Sequence, residues 1–339
     1  MSNFKKIINN FQKAKILVVG DLILDEYIWG EVERISPEAP VPVVWANRRT
    51  YIPGGAANVA SNISSLGSKA TLVGVIGNDK NRDIFLSQLK KRKVSVAGVV
   101  VDVKRTTTLK TRIIAGHQQV VRLDWEDTDS LPRQANQKIM KFVEEIIDKF
   151  DAVIIEDYGK GVINMYLLES LIRLAHSRKK IITVDPKVGH FQYYKGVTSI
   201  TPNRRELENA IRNLKIKDTC NQFRLNLEHL SCDREINLAA KEILRYLGLE
   251  SILITLGEQG MKLIEKNGRI TNIPTVAQEV FDVSGAGDTV IATFTLALCS
   301  GASKIQAAHL ANFAAGIVVG KIGTATTNKK ELLQTLGNR

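Results

Sequence analysis

Short apolar runs alternate with amphipathic stretches along most of this chain. Residues 16–19 form a continuous apolar run of strand length, and similar runs lie at 70–75, 99–101, 152–155, 181–184, 199–200 and 251–255. Between them the apolar period changes. Ala56, Val59, Ala60 and Ile63 fall at i, i+3, i+4 and i+7, the inner face of a helix. The same period predicts helices over 81–91, 134–149, 287–299 and 304–319, the last two closing the fold. Strands that alternate with helices in this way predict an α/β fold, its mostly parallel sheet flanked by helices on both faces.

Two stretches break the rhythm. Residues 27–51 carry three prolines and the alternating Val41, Val43, Val44 and Trp45. Residues 106–125 alternate too, with Leu109, Ile113, Val121 and Leu123 expected to point inward. Both read as antiparallel strands inserted into a single domain spanning 1–339, forming a small projecting sheet that serves as a lid or a dimer interface. The polar residues 215–235 read as a surface insertion.

Composition narrows the field. No apolar run is long enough to span a bilayer. Residues 1–15 read as a short amphipathic helix with no signal-peptide pattern, so a cytoplasmic location is expected. Cys220, Cys232 and Cys299 are an odd count with no CxxC pair, which argues against a disulfide framework or a structural zinc site. Cys299 suits core packing, and the other two suit free thiols. The net charge of +12 raises nucleic-acid binding. Yet the basic clusters, such as Lys90-Lys91-Arg92-Lys93 and Arg178-Lys179-Lys180, sit at predicted helix ends, where they complement the dipole. No aromatic-rich strand accompanies them, so no nucleic-acid partner is expected.

The chemistry concentrates in Asp282-Val283-Ser284-Gly285-Ala286-Gly287-Asp288, which opens an apolar helix. The amides of Gly285, Ala286 and Gly287 would form an anion hole there, suited to a transferring phosphoryl group. Asp288, in the first turn, should stay ionised and is either a catalytic base or a capping carboxylate. A second segment, Pro53-Gly54-Gly55-Ala56-Ala57-Asn58, places a double glycine before a helix. Asn58 offers both a donor and an acceptor there, to a ligand or to a tight turn. Neither GxxxxGK[ST] nor GxGxxG occurs.

Taken together, the two segments resemble the paired signatures of the ribokinase-like (phosphofructokinase B) carbohydrate kinases. Their order agrees, as does the spacing of Ala60, Gly67 and Gly77; Thr293 departs from the family's usual Ala or Gly. The resemblance implies a ribokinase-like fold, ATP and Mg2+ as cofactors, and Asp288 as catalytic base. It implies sugar binding by Asp25, Gly54, Gly55 and Asn58. Thr201-Pro202-Asn203-Arg204-Arg205-Glu206 is similar to the family's Asn-x-x-Glu element, with Glu206 holding magnesium through water. Thr255, Gly257 and Gly260 resemble its nucleotide-contacting turn, and Asn312 falls where adenine packs. Asp282 and Ser284 correspond to a monovalent-cation site for an ion such as K+.

Val19-Gly20-Asp21 through Asp25, Arg34-Ile35-Ser36-Pro37-Glu38, Asp157-Tyr158-Gly159-Lys160-Gly161, Asp185-Pro186-Lys187 and Val318-Val319-Gly320-Lys321-Ile322 look like the D-glycero-β-D-manno-heptose 7-phosphate kinases of that family. This closer resemblance implies phosphorylation of an anomeric hydroxyl, in the supply of lipopolysaccharide-core precursors. Another hexose-phosphate or pentose kinase, or a non-catalytic sugar- or nucleotide-binding regulator, is the alternative. Arg34, Lys160 and Lys187 are candidates for gripping a sugar phosphate. Arg112 and Arg122 are further candidates that suit a solvated strand face equally well. A homodimer through the lid is also expected by resemblance. The subfamily is often fused to a nucleotidyltransferase; the chain ends soon after the kinase fold, so that second activity is expected to be absent.

Overall fold

The computed structural model of the chain describes residues 2–337 apart from 117, 226, 228, 278 and 322. Two positions of the predicted insertion, 226 and 228, and Ile322 of the last quoted motif therefore lie outside the described residues. An amphipathic helix, α1 (Ser2–Asn10), leads into the central strand β1 (Lys15–Gly20). The long strands β2 (Leu22–Ile35) and β3 (Pro42–Gly55) leave the body as a hairpin, and α2 (Ala56–Ser65) brings the chain back. Next come β4 (Lys69–Gly77), α3 (Lys80–Lys91) and β5 (Ser95–Asp102), then β6 (Thr108–Ala115) and β7 (Gln118–Trp125). The other side is built from α4 (Arg133–Ile146), β8 (Ala152–Glu156), α5 (Met165–Ser177), β9 (Ile181–Asp185) and β10 (Ser199–Ile200). It continues through α6 (Arg204–Lys217), α7 (Asp233–Leu247), β11 (Ser251–Thr255), β12 (Met261–Glu265) and β13 (Ile270–Ile273). Three helices follow: α8 (Ala286–Cys299), α9 (Lys304–Val319) and α10 (Lys329–Gly337).

The main sheet has the order β13-β12-β11-β10-β9-β8-β1-β4-β5 and is parallel from β11 to β5. Its strands bury both faces, with Leu17 and Val19 of β1 in one core and Ile16 and Val18 in the other. Helices α4 to α7 cover the first face; α1 to α3 and α8 to α10 cover the second. The expected α/β layering is therefore what folds. From β1 the chain moves to β4 on one side and only later to β8 on the other. A crevice opens at the carboxyl ends of β1 and β8, where doubly wound sheets bind their ligands.

A second sheet, ordered β3-β2-β6-β7, projects from this edge. Sequence reasoning expected it to be antiparallel, yet β2 and β6 pair in parallel. Both strands start at the body and run outward, so the long connection through β4 and β5 returns the chain in the same direction. The inward assignment of Val121 and Leu123 also fails: they are 41% and 44% exposed. Their parity was right, since the register places Val121 opposite Ile113 and Leu123 opposite Thr111 on one face with Leu24 and Glu26. The body covers that face only near β2, and β7 overhangs it. The opposite face carries Asp25, Tyr27, Lys110, Arg112, Arg122 and Asp124.

Helix α5 ends just before the Arg178-Lys179-Lys180 cluster, as expected, whereas α7, α10, β12 and β13 went unanticipated. The last two helices do not close the fold, because α10 packs Leu332 and Leu336 into the second core. The insertion narrows to the residues between α6 and α7, among which Cys220 and Cys232 are free and exposed. Among the described residues no helix is long and apolar enough to cross a membrane.

Candidate active site

Strand ends bring acidic side chains together at the crevice. Asp21, just beyond β1, is fully buried and accepts hydrogen bonds from the backbone N–H groups of Tyr158 (2.8 Å), Lys160 (3.0 Å) and Val162 (3.1 Å). Burial, then the charge of Asp157, pushes its carboxyl up to about 6, against those three amides. Asp21 thereby fixes the segment 157–162 across the end of β1. Asp157 is in turn held by Tyr194 and His190, each at 2.6 Å.

Asp288 lies in the first turn of α8, entered through Gly285 in the left-handed region (φ +78°). A side chain at Gly285 would meet the Asn58 amide at 2.7 Å. Asn58 Nδ2 donates to Asp288 Oδ2 (2.6 Å) and the Tyr158 hydroxyl donates to Oδ1 (3.0 Å). The carboxylate is thus aimed from both sides. Burial pushes the Asp288 carboxyl up to about 6, opposed by the Asn58 and Tyr158 bonds, so it stays mostly ionised near neutral pH. Of the three amides expected to form the anion hole, that of Ala286 donates to Val283 O (3.2 Å), whereas those of Gly285 and Gly287 find no acceptor among the described residues; nor does the next amide, that of Asp288.

On the acceptor side, Asp25 is paired with Arg112, whose guanidinium also lies 5.3 Å from the Tyr27 ring centroid. Arg112 is therefore neither solvated nor free. Gly54 makes this close pairing possible, because a Cβ there would stand 2.3 Å from Asp25 Oδ2. Lys160 is committed to Glu126 (2.5 Å), which also binds Lys110, and Arg122 binds Asp124 (2.9 Å). Arg34 sits on the exposed end of β2, nine residues from Asp25 or roughly 30 Å along an extended strand. The structure does not bring it to the site. Lys187 stands beside Gly159, and its charge acts on Glu206.

A cavity of about 720 Å3 adjoins the α8 N-terminus. Asn203, Thr255, Gly257, Gly260, Ala286, Gly287 and Asn312 line it together with apolar Met261, Val283 and Val290. Asn312 donates to Pro274 O (2.8 Å) at its wall. Asn203 and Glu206 form a reciprocal capping box at the start of α6, so the capping reading of Asn203 holds. Arg204 turns away and donates to Leu230 O (3.1 Å), which removes it from the expected nucleotide contacts; Arg205 is exposed. Both oxygens of Asp282 accept backbone N–H bonds, from Ser284 (2.8 Å) and Gly323 (3.1 Å), tying two loops together.

Between the acceptor side and this cavity lies a group that sequence reasoning missed. Glu156 and Asp185, register partners at the ends of β8 and β9, share one buried space with Asp288; one oxygen of each lies within 4.8 Å of the others. Both oxygens of Glu156 are buried without a hydrogen-bond partner. Hard carboxylate oxygens, two of them orphaned, fit a divalent cation. Burial and neighbouring carboxylates push Glu156 and Asp185 well above the usual range. A signal was available: each follows directly on an apolar run of a parallel sheet, the edge where ligands bind. Tyr158 carried no such signal, since its placement depends on the Asp21 carboxylate.

Gly54→Ala should displace the Asp25 carboxylate, break its pairing with Arg112 and lower stability by about 1–3 kcal/mol. Chemical denaturation measures this directly. An unchanged midpoint would show that Asp25 has room to move.

The profile of the pfkB family carbohydrate kinases matches residues 13–331. A Helicobacter pylori protein named "Bifunctional protein HldE" is 45% identical over 320 residues, covering 94% of this chain and 65% of its own length. One of the same name from Geobacter metallireducens is 41% identical over 335 residues, with 99% and 65% covered. The chain thus spans just under two thirds of these relatives. Among solved structures, Arabidopsis thaliana ribokinase complexed with ribose and ATP superimposes with a TM-score of 0.75 at 18% identity, covering 95% of this chain and 98% of that one. Escherichia coli phosphofructokinase-2 in complex with potassium gives 0.77 at 18%, with 96% and 98% covered. These two establish the fold, and the profile match over nearly the whole length establishes the family: the chain belongs to the pfkB family of carbohydrate kinases.

Proposed function

We propose that this chain is an ATP- and magnesium-dependent kinase that phosphorylates the anomeric hydroxyl of D-glycero-β-D-manno-heptose 7-phosphate. The observation that carries the reading is the placement of Asp288, aimed by Asn58 and Tyr158 between the Asp25–Arg112 pair and the 720 Å3 cavity. The heptose assignment rests on the motif resemblance together with relatives of 41–45% identity.

In this mechanism ATP occupies the cavity. Asp25 and the Gly54-Gly55 backbone orient the sugar hydroxyls, with Arg112 opposing the burial that raises the Asp25 carboxyl. The anomeric oxygen attacks the γ-phosphorus as the bond to ADP breaks, and Asp288 takes the hydroxyl proton. The free amides of Gly287 and Asp288 receive charge that develops on the phosphoryl oxygens. Glu206, through water, and the neighbouring carboxylates would hold magnesium, which would neutralise charge on the phosphates. The loops joined by Asp282 and Ser284 suit a monovalent cation such as K+. The soluble products are a sugar bisphosphate and ADP, and a cytoplasmic setting fits ATP use.

The sheet face that β7 carries past the body bears exposed Val32, Val121, Leu123 and Trp125. A homodimer that pairs these apolar surfaces would cover them.

Purified protein with ATP and Mg2+ should release ADP with the heptose 7-phosphate and far less with fructose 6-phosphate, ribose or no sugar. Asp288→Asn should lower turnover at least about a hundredfold while ATP still binds. Comparable turnover with another sugar would discard the heptose, and near-normal turnover of the variant would discard Asp288 as base. Because the base must be ionised and in the free chain titrates near 6, kcat/KM should fall about tenfold per pH unit below that value. A rate flat down to pH 5 would contradict this assignment. In sedimentation, the wild-type chain should run as a dimer and Leu123→Lys as a monomer; a wild-type monomer at micromolar concentration would remove the interface.

A further inference from the structure

The Asp25 carboxylate is too well covered in the free chain to orient a sugar. It is 5% exposed, with Oδ1 under the Arg112 guanidinium and Oδ2 against Gly54. No sugar hydroxyl reaches it while both neighbours stay in place. Gly54 is backbone of β3 and cannot withdraw, so the cover that moves is Arg112. An arginine leaves a buried carboxylate readily only when another anion takes it, because an unpaired guanidinium is costly where water is scarce.

The surrounding face offers no such anion. Lys110 and Arg122 both bind Asp124, and Lys110 and Lys160 both bind Glu126. Register worsens the position of Arg112, which lies directly opposite Arg122 on the neighbouring strand, where like charges repel. Apart from Nη1, which bonds Asp25, its N–H groups meet no acceptor among the described residues. The group that settles Arg112 once it leaves Asp25 therefore comes from outside the chain. Direction narrows what brings it. The reacting hydroxyl has to approach Asp288 at the crevice where β2 begins, so the far end of the sugar points outward along that strand. Arg112 pairs there with Tyr27, farther out than Asp25.

We propose that Arg112 is a specificity-determining gate: it covers Asp25 in the free chain and exchanges that carboxylate for a phosphate at the far end of the acceptor, which uncovers Asp25 for the sugar hydroxyls. The proposal rests on the kinase reading above and adds to it a means of choosing the acceptor. A phosphate dianion offers the guanidinium fork a stronger partner than the single contact it makes with Asp25. A sugar without one must displace Arg112 unaided, and part of its binding energy goes to leaving the guanidinium stranded. The phosphate thus does more than hold the acceptor: it opens the site.

The test supplies the two halves of the acceptor separately. The wild-type chain, with ATP and Mg2+, is given the heptose without its 7-phosphate, in the presence and absence of inorganic phosphite, a dianion that stands in for the missing group. Phosphite should raise kcat/KM for the bare sugar saturably, by at least about tenfold. Arg112→Gln should abolish that activation and lower kcat/KM for the heptose 7-phosphate by at least about tenfold, leaving the bare sugar alone within about threefold of wild type. Should Arg112→Gln fail to fold, Arg112→Lys, which keeps the charge and loses the fork, should weaken the activation and likewise spare the bare sugar. A wild-type rate indifferent to phosphite would overturn the gate, and so would a variant that loses both sugars equally. Wild-type turnover of the heptose 7-phosphate, measured in parallel, separates the two failures. Its absence would strike the kinase reading; its presence without phosphite activation would strike the gate alone.

Discussion

Like charges buried at one edge of a parallel sheet set the terms for everything around them. Parallel strands all end on the same side, so a carboxylate at the end of each is forced into company. Asp21, Glu156 and Asp185 follow three adjacent strands, β1, β8 and β9, and Asp288 is laid across them by α8. Desolvation then works against ionisation at each position. The surrounding structure answers in different ways. Asp21 is met by three backbone amides, Asp288 by an amide and a phenol, and Glu156 by no donor among the described residues. On the proposed function, a site that takes a magnesium-bound triphosphate has reason to leave negative charge uncompensated until the metal arrives.

The small sheet reaches this centre through few contacts. At its base, the register of β2 with β3 puts Gly54 next to Asp25, so the absence of a side chain at one position admits the carboxylate of another. Farther out, the Tyr27 hydroxyl meets the Thr324 hydroxyl at 3.1 Å. Thr324 follows Gly323, whose amide binds Asp282. The acceptor-facing strand is thereby joined to the loop that precedes the base. Burial of Tyr27, stacked at 6.0 Å on Trp29, stiffens the same strand.

Much of the fold was legible because apolar periods report which face is covered: the runs at 16–19, 152–155 and 181–184 are all strands of the main sheet. Asp288, Asn58 and Asp25 were legible because glycines flank them, and glycine marks backbone that a side chain would obstruct. What stayed hidden depends on long-range geometry. Val121 and Leu123 alternate correctly, yet periodicity cannot say where the body stops covering a sheet. Lys160 and Arg204 are cations near motifs, but Glu126 and the Leu230 carbonyl, both distant in sequence, claim them. Glu156 is one acid among many until β8 and β9 are set side by side.

The division between two sheets has an evolutionary consequence. On the proposed mechanism, the residues that face the acceptor lie on the small sheet, on β2, β3 and β6, while the groups that move the phosphoryl sit on the ends of the main strands and on α8. Substitutions on the outer strands can therefore alter which sugar is held without disturbing the alignment of Asp288, Asn58 and Tyr158. Asp21 reinforces this independence, because it fixes Tyr158 through backbone amides that any sequence supplies. Such an architecture lets acceptor preference drift under selection while the transfer chemistry stays constant.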